Sequence, residues 1–284
     1  MATITFVTTC MGRLEFLKQT LPAVVAQRDA AVVVVDYSCP QRCGLWVESM
    51  FPQATVVRIE GQERFNLAHA RNAGAEACQT PWLGFLDADV LLAPAFSETV
   101  LPTLTLGYFY QAVPMPRDWH LLGTVLCSAR DFQTAGKYDE VMRGWGGEDR
   151  DLYQRLSLHG IQAESFPGAL VRHLDHGDAL RVQNYEVKHK PVSQTINRFY
   201  MAAKSELMRV NAGPLSLELR RHLYEQVAQQ VVLACAAKGE AAIQIDLPVS
   251  ESGPIPGLVM KRTLRFDIQN RDGSFSPRPP TDSE

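Results

Sequence analysis

Residues 82–89 read Trp82-Leu83-Gly84-Phe85-Leu86-Asp87-Ala88-Asp89, an apolar run that ends in two acids one residue apart. Such a run, opening at Pro81 and closing on acids, has the length and composition of a strand buried on both faces, as parallel sheets require. Upstream, the same grammar repeats. Ile4–Thr8, Ala31–Asp36 and Ala54–Ile59 are β-branched runs that predict strands. Between them, Leu14–Gln27 carries Leu14, Leu17, Leu21, Val24 and Val25 at helical spacing, with Pro22 expected to kink or break it. Trp46–Phe51 reads as a helical turn, and Asn66–Cys78 as a helix with Asn66 at its N-cap. Strands alternating with helices predict an α/β domain with helices packed on a parallel sheet.

The 284 residues exceed one typical domain, so one large α/β domain or a domain with an appendage is expected. With 46% apolar and 21% charged residues, the composition excludes a disordered chain. A net charge of −3 gives no general attraction to nucleic acid or anionic membrane, though a local basic cleft stays open. No apolar run approaches the ~18–20 residues of a membrane span, and Met1–Phe6 alternates like a strand rather than a secretory leader. A cytoplasmic protein without a transmembrane segment is expected, with peripheral membrane contact still open. Cys10, Cys39, Cys43, Cys78, Cys127 and Cys235 share no repeated spacing, which fits reduced thiols. The Cys39-Pro-Gln-Arg-Cys43 spacing admits a metal clip or redox pair, but no second matching pair exists, and small loop residues are the favoured reading.

Downstream the pattern is less regular. Leu101–Gln111, Gly123–Ser128, Ile161–Phe166 and Ala169–His173 are expected strands of the sheet. Ala129–Ala135 and Asp149–His159 are expected helices, the latter ending at Gly160. Leu215–Lys238 repeats Leu219, Leu223, Val227, Val231 and Cys235 every fourth residue, and Ala241–Leu247 and Leu258–Ile268 resemble strands. The expected organisation is a catalytic domain over residues 1–200, a helical or α+β appendage over 201–276 and a mobile tail over 277–284.

Two motifs carry chemistry. In an extended segment Asp87 and Asp89 point the same way and can face one cation. Hard oxygen donors at a strand end suit Mg²⁺ or Mn²⁺, the competing reading being a solvated turn. The second motif is Trp145-Gly146-Gly147-Glu148-Asp149-Arg150-Asp151, running into a helix. Three acids there complement the positive helix end, while the glycines and tryptophan suit close approach of a ligand and a flat apolar face for a sugar.

In order along the chain, these residues resemble the galactosyltransferase branch of the GT-A glycosyltransferases, especially the β-1,4-galactosyltransferases, with a looser likeness to family-2 enzymes. Val7-Thr8-Thr9 through Arg13 looks like the first nucleotide-binding turn, and Val35-Asp36-Tyr37-Ser38 like the strand end that holds uridine. Arg64-Phe65-Asn66-Leu67-Ala68 with Arg71-Asn72-Ala73-Gly74 resembles the family's Phe-Asn helix. Asp87-Ala88-Asp89 resembles its metal-binding Asp-x-Asp, and Leu122-Gly123-Thr124-Val125 its Gly-rich strand by the donor sugar. Trp145–Asp151 is similar to its Trp-Gly-Gly-Glu-Asp-x-Asp, and Val171-Arg172-His173 to its Arg-His. The likeness covers residues 3–175 and fades beyond.

The resemblance implies a GT-A fold, Rossmann-like, with a mixed sheet flanked by helices. It implies Asp149 as the general base and Glu148 and Trp145 at the acceptor. Asp89 and His173 would be metal ligands with Asp87 assisting, and the metal Mn²⁺ or Mg²⁺. Thr8, Thr9, Arg13, Asp36, Arg64, Arg71, Asn72 and Ala88 are implied at the nucleotide, and Gly123, Gly146 and Gly147 at the sugars. The family's Met ligand position is Leu170 here. The implied reaction is inverting transfer of a hexose or N-acetylhexosamine from a UDP-sugar, UDP-galactose or UDP-N-acetylgalactosamine preferred, to a glycan or glycolipid hydroxyl. Rival readings are a nucleotide-sugar pyrophosphorylase, disfavoured because Thr8–Arg13 has only Gly12, and a non-catalytic binder. Arg64 and Arg71 remain open between solvated charges and diphosphate ligands, and His176 between ligand and loop residue. His69, His120, His159, His189 and His222 are read as surface or packing residues, Trp82 and Trp119 as core or rim. Lys188, His189, Lys190 and Arg198 form a basic stretch open between a solvated loop and a cover for the diphosphate.

Overall fold

The computed structural model describes residues 2–113, 121–211, 213–236, 241–252 and 259–268. Trp119, His120 and the tail 277–284 lie outside them. The chain divides into two compact units: residues 1–140 with 148–186, and residues 141–147 with 187–284. Residue 200 falls inside a continuous helix, so the structural division comes before Val187 instead.

The first unit is built on a seven-stranded sheet. Its strands are β1 (Ile4–Cys10), β2 (Ala30–Tyr37), β3 (Thr55–Ile59), β4 (Trp82–Asp87), β6 (Tyr108–Ala112), β7 (Val125–Ser128) and β8 (Gln162–Phe166). The order is β3-β2-β1-β4-β7-β6-β8. The first four run parallel, and β7 enters antiparallel to both β4 and β6, making the sheet mixed. Helices α1 (Leu14–Val25), α2 (Cys43–Met50) and α3 (Leu67–Glu76) follow β1, β2 and β3. Two-residue alternation sorts the strands between two apolar layers. Ile4, Phe6, Val32, Val34, Trp82 and Leu86 pack with Leu17 and Leu21 of α1. Val7, Val33, Val35, Leu83 and Phe85 pack on the other face with Ala70 and Ala75 of α3 and with Phe132, Leu152 and Leu156. Each fully buried aliphatic or Phe side chain contributes about 1.5–3 kcal/mol, so the continuous strands β1, β2 and β4 hold most of this core.

Several elements depart from the sequence expectations. Helix α1 runs through Pro22 without a break. Leu101–Gln111 is not one strand: Leu101–Thr103 is a 3-10 turn, and β6 begins only after Gly107, whose φ is +85°. Pro102 supplies no amide for a sheet ladder there. Ala169–His173 does not return to the main sheet. Its end, β9 (Val171–His173), instead pairs antiparallel with a short strand β5 (Val90–Leu92), placing His173 opposite Val90. Short helices α4 (Phe96–Val100) and α7 (Asp178–Val182) also lacked a sequence signal. Helices α5 (Ala129–Thr134) and α6 (Glu148–Leu158) lie within a residue or two of their expected bounds.

The second unit consists of α8 (Lys190–Asn211), α9 (Leu217–Ala236) and an antiparallel hairpin, β10 (Ala241–Ser252) and β11 (Val259–Ile268). Ile196, Tyr200, Ala203 and Leu207 of α8 meet Leu223, Val227 and Val231 of α9 and Ile243, Ile245 and Leu247 of β10. The basic stretch Lys190 to Arg198 is therefore helical, not a loop.

Gly74 sets how closely α3 lies on the sheet. A Cβ there would meet the Val7 side chain and come within 2.9 Å of Val35 Cγ2. Gly74→Ala is expected to destabilise the protein by about 1–3 kcal/mol, read as a lower urea midpoint at unchanged slope.

Candidate active site

Parallel pairing brings strand ends together at the carboxyl edge of the sheet, where open α/β sheets place ligands. Thr9 lies opposite Asp87, and Cys10 opposite Asp36. Behind Asp87 sits Arg71 of α3, fully buried at 0% exposure. Its Nη2 donates to Asp87 Oδ1 at 2.7 Å and to the Gly123 carbonyl at 3.2 Å. Its Nη1 donates to Asp149 Oδ1 at 2.5 Å and to the Tyr138 hydroxyl at 3.0 Å. Tyr138 in turn donates to Asp149 Oδ1 at 3.2 Å. Burial works against the Arg71 charge, but Asp149, Tyr138 and Asp87 more than offset it and raise its pKa. Both bonds to Asp149 fall on Oδ1. Its Oδ2 lies 3.3 Å from where a Cβ on Gly123 would stand, and Asp87 Oδ2 lies 3.0 Å from the same point. Arg71 Nη2 lies closer still, at 2.8 Å, so any side chain at position 123 would collide with the Arg71–acid cluster.

Asp87 and Asp89 do not share one partner. β4 ends at Asp87 and the next two residues form a turn into β5, so strand alternation no longer governs Asp89. Asp89 Oδ2 instead bonds the His176 ring and lies 3.5 Å from His173 Nε2. Donor atoms of Asp89, His173 and His176 all fall within 4.8 Å of one another. Burial pushes the Asp89 carboxyl up, but the bonds to His173 and His176 outweigh it and hold it below the usual carboxylate range. One carboxylate and two imidazoles form a donor set that Mn²⁺ fits better than Mg²⁺, which prefers oxygen. His176 is the residue that sequence reasoning underweighted. Its signal was only the three-residue spacing from His173, and the tie comes from β9 pairing with β5. Arg13 Nη1 lies 3.0 Å from His176 Nε2, and its Nη2 donates to the Leu180 carbonyl at 2.6 Å.

At the start of α6, Glu148, Asp149 and Asp151 are all buried. Asp151 accepts from Arg155 Nε at 2.9 Å, one turn on. Glu148 has an oxygen, Oε2, buried without a hydrogen-bond partner. Burial first, then the charge of Asp149, pushes its carboxyl up to about 8.

Other expected site residues are placed as follows. Thr8 and Thr9 are buried in β1, and Ala88 is buried with its carbonyl accepting from Thr20. Asp36 uses both oxygens on backbone amides, Cys39 at 2.9 Å and Gly44 at 2.8 Å, which staples the loop after β2. Asn72 is likewise occupied at both ends: it accepts from the Tyr138 amide and donates to the Tyr138 carbonyl and to Glu140. Arg64 is exposed, whereas Arg71 belongs to the acid cluster. Asn66 caps α3 through the His69 amide at 3.1 Å. Trp145, Gly146 and Gly147 belong to the second unit. There, Gly146 and Gly147 take φ of +89° and +105°, and Asn197 donates to the Gly146 carbonyl at 2.6 Å. Trp145 is bonded through its backbone to Ser193, and Lys190 Nζ stands 4.4 Å from its ring centre. The tryptophan face expected for a sugar therefore carries a lysine.

Two outcomes test this description. Arg71→Met removes the shared cation and leaves Asp149 buried beside it, at an expected cost of about 3 kcal/mol in urea unfolding. Glu148 is protonated in the folded chain up to about 8 but ionises near 4.5 when unfolded. Folding thus favours the proton, so this contribution is complete below pH 4.5 and is lost as pH rises through about 8. Glu148→Gln should flatten the fall in stability across that window, measured by unfolding at several pH values.

Residues 5–138 match the model of Glycosyl transferase family 2, and residues 113–178 match one described as the N-terminal domain of galactosyltransferase. Validoxylamine A glucosyltransferase from Streptomyces hygroscopicus subsp. jinggangensis (strain 5008) is 28% identical over 153 residues, covering 34% of this chain and 36% of the relative. The enzyme of the same name from subsp. limoneus is also 28% identical and covered to 34% of its length. The chain thus spans about a third of the length of the curated relatives it matches. Among solved structures, the mannosyltransferase PcManGT from Pyrobaculum calidifontis, in complex with GDP-Man and Mn²⁺, aligns with a TM-score of 0.52 at 18% identity. That alignment covers 84% of this chain and 76% of PcManGT. S. aureus TarS 1–349 in complex with UDP-GlcNAc aligns with a TM-score of 0.53 at 11% identity, covering 82% of this chain and 72% of TarS. The mixed sheet and these neighbours give the chain a GT-A fold, and residues 5–138 are similar to Glycosyl transferase family 2.

Proposed function

We propose that the chain transfers a hexose or N-acetylhexosamine from a UDP-sugar to a hydroxyl of a glycan or glycolipid acceptor, with inversion and with a divalent metal, acting in the cytoplasm. The observation that carries this reading is the pairing of two neighbouring acid sites. Asp149 and Asp87 share Arg71 beside Gly123, and Asp89 joins His173 and His176 a turn away. Asp89, His173 and His176 would hold Mn²⁺. When bound, the ion supplies positive charge opposite the diphosphate that departs.

The chain's own groups account for the remaining steps. Arg71 holds Asp149 by Oδ1, with Tyr138 bonded to the same oxygen, so Oδ2 is the atom left to take the proton of the acceptor hydroxyl. A base on the face opposite the leaving group implies inversion. Glu148, neutral below about 8, adds no second negative charge beside Asp149 and can donate a hydrogen bond to a sugar oxygen. Arg13, next to Gly12 in the first turn and bonded at His176, would meet a phosphate oxygen. The neighbours support a nucleotide-sugar donor: TarS is in complex with UDP-GlcNAc and PcManGT with GDP-Man and Mn²⁺. Galactose or N-acetylgalactosamine is our preferred donor sugar, because the Trp-Gly-Gly-Glu-Asp motif resembles galactosyltransferases.

A screen of UDP-sugars in Mn²⁺, reading released UDP and product anomer, tests the reaction. Asp149→Asn should leave UDP binding within about threefold of the parent and lower transfer by about 10²–10⁴. Asp89→Ala should remove Mn²⁺-dependent UDP binding by calorimetry. Normal turnover by Asp149→Asn would refute the base assignment, and metal-independent UDP binding in the parent would refute the ion's role.

A further inference from the structure

Outside the acid site, three of the six cysteines meet where β1 and β2 end. Cys10 closes β1, Cys39 lies in the loop after β2, and Cys43 is the first residue of α2. All three are buried, and their sulfur atoms fall within 4.8 Å of one another. Cys10 and Cys39 Sγ are 3.9 Å apart, and the Gly12 amide donates to Cys39 Sγ at 3.3 Å. The loop is built to hold this convergence. Ser38 and Arg42, neither of them glycine, adopt left-handed φ of +46° and +51° on the two sides of Cys39, and Arg42 immediately precedes Cys43. Such residues cost about 1–3 kcal/mol each and persist where surrounding structure fixes them. Here the fixing comes from Asp36, whose two oxygens take the amides of Cys39 and Gly44.

We propose that Cys10, Cys39 and Cys43 form a site for one thiophilic d¹⁰ metal ion, of the Cu⁺ or Zn²⁺ kind. Three sulfurs are the donor set of a soft ion. Among the described residues no His, Asp or Glu joins the cluster as a fourth donor. Structural zinc is almost always four-coordinate, so a buried three-sulfur site favours Cu⁺. Each sulfur that coordinates releases its proton to water. The site adjoins Arg13 through Gly12, so a bound ion would brace the turn that carries that arginine. The proposal does not depend on the transfer reaction.

The full chain, reduced and freed of metal under argon, is titrated with Cu⁺ against a chromophoric chelator and in parallel with Zn²⁺. Expected is one tightly held equivalent whose X-ray absorption shows sulfur neighbours only, three of them, for Cu⁺. Zn²⁺ should show three sulfurs and one oxygen. Cys10→Ser and Cys39→Ser should each lower affinity at least tenfold, while Cys78→Ser and Cys235→Ser should not. Where a variant fails to fold, the sulfur count in the parent chain decides alone. Absence of a stoichiometric ion, fewer than three sulfurs, nitrogen scatterers from His173 and His176, or a Cys10–Cys39 disulfide in protein kept under argon would overturn the assignment.

Discussion

A single buried guanidinium organises the candidate site. Arg71 reaches from α3 to the end of β4, to the carbonyl before β7 and to the start of α6, so four segments distant in sequence share one cation. Taking a guanidinium out of water is costly, and carboxylates at about 2.5–2.7 Å return much of that cost without a large net gain in stability. Its stronger effect is on position. The planar fork fixes two acids at once, which a lysine's point charge would not do. Gly123 completes the arrangement by leaving empty the volume that a side chain would fill between Asp87, Asp149 and Arg71 itself.

From this follows a division of labour between acids that the sequence presents as a pair. Asp87 ends a strand and is committed to Arg71, while Asp89 follows a turn and is committed to two histidines. The antiparallel contact of β5 with β9 brings His173 to that place, in register with Val90, the residue next to Asp89. In the proposed reaction, a cation at Asp89 and a base at Asp149 would therefore not compete for one carboxylate. Asp87 stands between them, bound to the same arginine that positions the acceptor.

The parallel core was legible because burial on both faces leaves unbroken apolar runs, as in Ala31–Asp36 and Trp82–Leu86, and because Asn66 is an N-cap by its own chemistry. What escaped had no local pattern. Val90–Leu92 is only a three-residue strand, and its partner Val171–His173 is equally short, so their pairing depends on tertiary context. Lys190–Asn211 was hidden by the basic cluster at its start, although Ile196, Tyr200, Ala203 and Leu207 carry the helical period within it. At the candidate site, the motifs point to Asp89, Asp149 and His173 but say nothing of the side chains that the fold packs against them. Along the chain Arg71 reads equally well as a solvated charge, because nothing there shows that Tyr138 and Gly123 close around it. Asp36 and Asn72 show what the sequence leaves out: the backbone amides that occupy their side chains come from Cys39 and Gly44 and from Tyr138. The thiol cluster failed for a similar reason, since Cys10 lies far from Cys39 in sequence and joins it only through the register of β1 with β2.

The crowding of Glu148, Asp149 and Asp151 in one helical turn is resolved by giving each acid a different environment. Asp151 pairs with Arg155 along its own helix, and Asp149 pairs with Arg71 across the sheet edge. Glu148 has neither partner, and burial together with the neighbouring charge keeps its proton on up to about 8. Two ionised carboxylates side by side would otherwise repel in a low-dielectric setting at a cost the helix end, worth about 0.3–1 kcal/mol, does not offset. The same three residues would behave alike on an exposed helix. Burial separates them into an acid paired along its own helix, an acid held by Arg71 and a neutral carboxyl, and such a separation by environment is what the proposed acid–base chemistry would use.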